Sequence, residues 1–470
     1  MGDQNYNTQA LEPNGRAVGV TEHAWCQAVS CGTGITVLAL QVCKAETEIS
    51  LLQNALPKLQ NAHPILRSKL HYNTASNAFS FTTPTKPYLQ PKLFSLSSTS
   101  QLLQTLSNNS SNTSLSPLHL ILEHEMNTNI WSNPSNFPCT GLDVLVSNVY
   151  ALPEMKLVVV LRLHTVACDR TTAVSLLREL KELVGEREGG GVQGKKGDII
   201  SLGIEELIPN GKAKKPLWAH GVDMLSYSVN SLRLTNLKFK DVKGTRCSEV
   251  VRLKLNPQET ANILAGCESR GIKLCGALAA AGLIAAHSSK RRHDHPRKKY
   301  AVVTLMDCRS LLEPPLSGHH FGYYHFAILN ILAVGGGENI WDLASRSYMA
   351  FAKSKNCNKH FSDMADLNFL MCKVIENPGL TPSSSLRTSF ISVFENPVID
   401  TTREMDQELG LEDYMGCSSV HGVGPSIALF DTIRDGRLDC ACVYPSPLHS
   451  REQMEEFVGH MKRVLIHGSY

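Results

Sequence analysis

The chain has 470 residues, 46 of them Lys or Arg against 43 Asp or Glu, for a formal net charge of +3. A balance this close to neutral excludes the broad positive field of a general nucleic-acid binder. Hydrophobic residues make up 42% and charged residues 19%, the composition of a folded globular protein and not of a disordered one. The length exceeds a single ordinary core and predicts about two or three domains.

In chain order, residues 1–20 read as a flexible tail without the apolar stretch of a secretory signal. A buried strand is expected at Ile35–Cys43. A helix follows over Glu48–Leu59, where Leu51, Leu52, Ala55, Leu56 and Leu59 fall at helical spacing. Strands are predicted at Leu70–Asn73 and Phe79–Thr82, then a Ser/Asn-rich loop over 95–116 around a short helix, Gln101–Leu106. Leu142–Tyr150 and Lys156–Leu163 form an expected antiparallel pair, and Thr171–Val184 an amphipathic helix with Ala173, Val174, Leu176, Leu177, Leu180 and Leu183 on its apolar face. Gly185–Gly197 is the clearest linker. It opens a linker-and-crossover region, 185–247, that includes an amphipathic stretch over Pro216–Leu237.

A second unit starts at 248. It holds a strand at Glu249–Leu255 and helices at Pro257–Ser269 and Leu274–Ser288. Strands follow at Tyr300–Met306 and Phe326–Ala333, then helices over Ile340–Lys355 and His360–Val374. Strands at Arg387–Phe394, Ile427–Thr432 and Arg437–Tyr444 precede a closing helix, Ser450–Ile466. The division is therefore 21–184, 185–247 and 248–470, in α+β order.

The longest apolar run, Leu274–Ala286, is too short to cross a bilayer. The 14 cysteines contain no CxxC pair, so reduced core thiols are expected and no metal site. The expected setting is cytoplasmic, without membrane or nucleic-acid partners, and monomeric. His124-Glu125 opens like a zinc-protease helix, but Thr128 stands where the second histidine belongs.

The most informative stretch is Leu163-His164-Thr165-Val166-Ala167-Cys168-Asp169-Arg170. It resembles the HHxxxDG signature of acyltransferases built like chloramphenicol acetyltransferase. His164 and Asp169 are in place, Thr165 replaces the second histidine, and Arg170 replaces the glycine. Leu51–Arg67 resembles the early helix and turn of condensation domains. Thr304–Phe326 resembles the DxRxxLxPPLxxxxFGN segment of plant BAHD acyltransferases through Asp307, Arg309, Pro314, Pro315, Phe321 and Gly322, with Tyr323 for the asparagine. Ser418–Tyr444 resembles the closing strands of the alcohol acetyltransferase and polyketide-associated transferase branch.

The resemblance implies two chloramphenicol-acetyltransferase-like domains of mixed sheets and helices with a tunnel between them. It implies transfer of an acyl group from acyl-CoA, as co-substrate, to a hydroxyl or amine of a small metabolite in plant specialised metabolism. In that mechanism a histidine takes a proton from the acceptor while hydrogen-bond donors stabilise the oxyanion. Asp169 keeps a structural role, with Arg309, Arg170 and Arg162 as candidate partners.

Thr165 has no pKa useful for a base near neutrality. Three readings follow: His164 takes over, another histidine (His319, His320, His325 or His421) enters the tunnel, or no acyl transfer occurs and the pocket serves a repurposed scaffold that binds a metabolite or catalyses another reaction. Cys168 reads as a packed loop thiol. The expected site is thus His164, Asp169 and Thr165 at the chemistry, with His320, Tyr323, His421 and Ser426 against substrate. Arg291, Arg292 and Lys298, in the basic run Ser289–Lys299, are candidates for the CoA phosphates. The same run also fits a solvated loop or a nuclear-import address.

Overall fold

Runs of valine and leucine set the two large sheets. Lys156–His164, KLVVVLRLH, is buried at every position after its first, as expected of a strand covered on both faces. It is the middle strand of a five-stranded sheet in a computed structural model that describes residues 15–43, 45–109, 115–185, 200–216, 218–221, 234–288 and 297–468. The order across this sheet is Leu411–Val420, Thr33–Val42, Lys156–His164, Leu145–Leu152, Lys92–Phe94. All pairings are antiparallel except the last.

The second sheet has seven strands. Six lie in the order His325–Val334, Lys298–Asp307, Arg387–Phe394, Gly424–Arg434, Arg437–Ser446, Cys247–Lys254. The seventh, Val398–Asp400, takes over the flank of Gly424–Arg434 after Arg387–Phe394 has ended. A smaller four-stranded sheet, containing Lys69–Asn73 and Ala78–Thr82, sits beside the first.

Behind the second sheet the small-residue helix Leu274–Ser288 is buried along nearly its whole length. It packs with Ile340–Asn356 and Arg451–His467 in one apolar core. A second core lies under the helices of the first half. A third draws on both halves, joining Val37, Ile121 and Trp131 to Met415, Val420 and Val443.

The expected strands and most helices are present, and the architecture is the mixed α+β arrangement in two halves. Several elements differ from expectation. Helix Val20–Ser30 stands just past the tail, capped by Glu22, whose carboxylate accepts from the Gly19 N–H at 2.7 Å. Helix Pro117–Asn127, capped by Ser116, lies buried between the two sheets. The helix at 101–106 extends over Leu96–Asn109. The run 360–374 breaks at Asp363 into Lys359–Ser362 and Met364–Glu376, where the Asp363 carboxylate takes the Lys215 ammonium at 2.9 Å. Strand Leu411–Val420 belongs to the first sheet although it comes from the second half of the chain. A single turn, 421–423, then carries the chain into the second sheet. The expected linker beyond Gly185, residues 186–197, and most of 216–237 lie outside the described residues.

The closing helix is pinned to the seam by charge. Arg451 places Nη2 at 2.8 Å from both oxygens of Glu123 and donates from Nη1 to the Val250 carbonyl at 3.0 Å. Burial alone would raise the Glu123 carboxyl, but His119 and Arg451 outweigh it and hold it below its ordinary value. Arg451→Met should lower the unfolding free energy by about 3 kcal/mol, because it strands a buried carboxylate. Adding Glu123→Gln should recover part of that loss, and urea titration of the single and double variants measures both.

Candidate functional site at the seam between the sheets

The motif occupies the point where the first half meets the second. Strand Lys156–His164 ends there, residues Thr165–Ala167 form one short helical turn, and helix Arg170–Gly185 begins. Asp169 is 4% exposed and is saturated. Arg309 grips it with both terminal nitrogens, at 2.8 and 3.1 Å. The amides of Thr172 and Tyr324 each donate to it at 2.8 Å. Burial would raise its carboxyl, but Arg309 and His325 hold it far below the ordinary carboxylate range. Arg309 in turn donates to the His320 carbonyl and the Thr172 hydroxyl. Of the three candidate partners, Arg309 is the one that pairs with Asp169. Arg162 pairs with Glu125 at 2.7 Å, and Arg170 reaches Asp431 at 2.9 Å.

Arg170 also donates to the backbone carbonyls of Asp431 and Asn396 and lies over the Phe394 ring at 4.1 Å. Those carbonyls flank the break between strands Arg387–Phe394 and Val398–Asp400. The guanidinium therefore supplies donors where the ladder is interrupted. Neighbouring motif residues thus contact the second half at two places, the 309–324 segment and the strand Gly424–Arg434.

His164 is 1% exposed, its Nδ1 accepts from the Val166 amide at 3.2 Å, and its ring meets Trp131 edge-on at 5.2 Å. Burial pushes its pKa down to about 3, which keeps it neutral at physiological pH. Thr165 is buried against Gly34, where an added Cβ would stand 3.0 Å from the threonine methyl. Cys168 is buried, and burial raises its thiol well above the ordinary value, consistent with a packed thiol.

The other histidines separate. His325 has Nδ1 3.1 Å from Asp169 but outside hydrogen-bonding alignment. His319 is exposed and pairs with Glu179 at 2.9 Å. His320 is exposed, and its ring accepts from the Ser317 amide at 3.3 Å. His421 alone stands on the turn that crosses between the sheets. Its Nδ1 is 3.0 Å from the Ser248 hydroxyl, and its Nε2 lies over Gly32, where a Cβ would be 2.1 Å away. Only a residue without a side chain allows that approach. Burial, reinforced by Arg387 and Arg246, lowers its pKa to about 4.

Tyr323 is buried with its ring 5.1 Å from Trp25, and Ser426 is buried with Oγ 3.3 Å from Asn236. Arg291 and Arg292 lie outside the described residues. Lys298 begins the strand that ends at Asp307 beside the motif helix, about 30 Å away along the strand. Sequence reasoning missed His63 and Glu179, which join at 2.6 Å while the His63 ring stacks on Phe321 at 3.6 Å. The turn His63-Pro64 and an acidic residue inside an apolar helix were the available signals.

Between the halves runs an open cleft with a cavity volume of about 120 Å³. One wall is the motif helix from Arg170 to Lys181, the other is Val398–Thr402 with Phe430, and Thr36, Leu38 and Ser418 contribute from the first sheet. No histidine lines it among the described residues, and Arg170 is its only contribution from the motif. His320, Tyr323, His421 and Ser426 lie outside this lining. Among the described residues no group of His, Cys, Asp and Glu is set to hold a metal, and no helix is long and apolar enough to cross a membrane.

No protein-family model matches the sequence, and no curated protein matches it. Solved structures do match over nearly the whole chain. Polyketide synthase associated protein 5 from Mycobacterium tuberculosis is 16% identical with a TM-score of 0.61, covering 96% of this chain and 98% of that one. Trichothecene 15-O-acetyltransferase from Fusarium sporotrichioides is 10% identical with a TM-score of 0.70, covering 97% and 95%. The X-domain from teicoplanin biosynthesis is 15% identical with a TM-score of 0.61, covering 96% and 94%. This is the condensation-domain fold. Within it Asp169 and the following Arg170 join the two halves at the seam.

Two outcomes follow. Arg309→Met should cost about 3–5 kcal/mol in urea unfolding, because it leaves Asp169 buried without its cation. The depressed His164 pKa also makes folding pH-dependent. An imidazole that titrates near 6.5 when unfolded and about 3 when folded contributes full stability above 6.5 and loses it as pH falls toward 3, by about 1.4 kcal/mol per unit. The loss between pH 7 and 4.5 should be smaller in His164→Phe than in the wild type.

Proposed function

We propose that the chain binds a small molecule in the interlobe cleft, and that its HHxxxDG-like turn works as a structural lock in place of a proton-transfer site. One observation carries this reading: among the described residues no imidazole lines the cleft, while the position that would supply the base is Thr165. His164 does not replace it, being fixed in the core by Val166 and Trp131. An apolar cleft with a few placed hydroxyls is the usual form of a small-ligand site, and loss of a general base costs about 10²–10⁴-fold in rate.

A second reading is acyl-CoA-dependent transfer to a hydroxyl or amine with His421 as the imidazole. Its support is position, since His421 stands on the inter-sheet turn and Gly32 lies two residues from the glycine that Thr165 packs against. The fold shared with an acetyltransferase is consistent with either reading.

The readings separate in one experiment. Acetyl-CoA is incubated with the protein and a panel of small alcohols and amines, thiol release is followed, and ligand binding is measured in parallel by thermal shift. Cleft binding without transfer predicts no thiol release above background, ligand shifts unaffected by CoA, and loss of those shifts in Leu177→Trp. Thiol release that disappears in His421→Ala would overturn the first reading in favour of the second.

A further inference from the structure

We infer that the cleft accepts an uncharged, elongated ligand, an apolar body bearing hydroxyl groups, and that Arg170 is the stop that sets its length. This deepens the binding reading above and rests on it. Arg170, Ala173, Val174, Leu177 and Lys181 line one wall, so the cleft follows about three turns, or about 16 Å, of the motif helix.

At each end of this helical wall stands a basic side chain held by acidic groups. At the motif end Arg170 reaches across to Asp431 and the Asn396 carbonyl. At the far end Lys181 lies 2.7 Å from Asp406 and donates to Thr402 at 2.9 Å. The cleft's one acid, Asp400, is also occupied, accepting from the Tyr414 hydroxyl and the Thr402 hydroxyl at 2.6 Å each.

Arg170, Lys181 and Asp400 are therefore already engaged, and Arg178, 60% exposed and 3.6 Å from Glu182, is the wall charge held least tightly. A charged group placed beyond the reach of Arg178 would lose water and gain no counter-ion. Hydroxyls remain available. Thr36 and Ser418 bond each other at 2.8 Å, and such a pair keeps a proton and lone pairs for a third group. Thr432 adds another hydroxyl to the lining. Between them Leu38, Val174, Leu177, Val398 and Phe430 give apolar surface.

The test uses the full chain and 4-alkylphenols from 4-ethylphenol to 4-octylphenol, with titration calorimetry as readout. In the wild type affinity should rise by roughly fourfold per methylene and then stop rising at a definite chain length. Arg170→Ala combined with Asp431→Asn, which removes both charges together, should move that break outward by two or three carbons. Arg170→Met, which keeps the bulk, should leave it in place. Ala173→Leu, beside the stop and clear of the ion pair, should move it inward, and this variant tests the inference should the double variant not fold. The matching 4-alkylbenzoates should bind at least tenfold more weakly.

An unchanged break in the double variant and in Ala173→Leu, or benzoates binding as tightly as phenols, would overturn the inference while leaving cleft binding intact. If no phenol binds the wild type, the binding reading itself falls and takes this one with it.

Discussion

A carboxylate at position 169 is buried where water cannot solvate it, and the whole seam is arranged around that fact. Arg309 neutralises it from the second half, and the amides of Thr172 and Tyr324 complete its shell. The pair is expensive to desolvate and gains only through exact geometry and additional hydrogen bonds. Those bonds reach the start of the motif helix and the 320–324 segment, so one ion pair fixes the angle at which helix Arg170–Gly185 leaves the sheet. The cleft wall is that helix, and its position is therefore inherited from Asp169.

Arg170 adds a second anchor one residue later. Two adjacent residues thus hold the second half at two separate places, so a rotation about one contact would strain the other. A rigid seam suits a preformed pocket. In this segment the Asp169 carboxylate is engaged by Arg309, and Arg170 by Asp431 and Asn396.

The sequence made much of this legible, for identifiable reasons. Strands such as Arg387–Phe394 and helices such as Leu274–Ser288 are continuous apolar segments, so hydrophobic pattern alone places them. Asp169 and Arg309 each sit in a recognisable segment, which made Arg309 one of three candidate partners, and the fold singled it out. Strand Leu411–Val420 was hidden because its pattern, LEDYMGCSSV, mixes charge, glycine and serine. It lies at a sheet edge and faces the cleft with one side, so it carries no long apolar run. Helix Val20–Ser30 was hidden by small and polar residues that bury efficiently only against a partner. The lining of the cleft could not be read at all, since Thr36, Leu177, Val398 and Phe430 are brought together only by tertiary packing. Pattern reports periodicity within one element and is silent about which faces meet.

Strand Leu411–Val420 has a consequence for how the molecule can be divided. It completes the first sheet against Thr33–Val42, yet it is made more than 360 residues after that strand begins. Any fragment ending before it would present Thr33–Val42 as an uncovered sheet margin, a template for self-association. The first half therefore lacks, within its own stretch of chain, one strand of its sheet. During synthesis the first sheet must wait, unfinished, until almost the entire polypeptide has emerged.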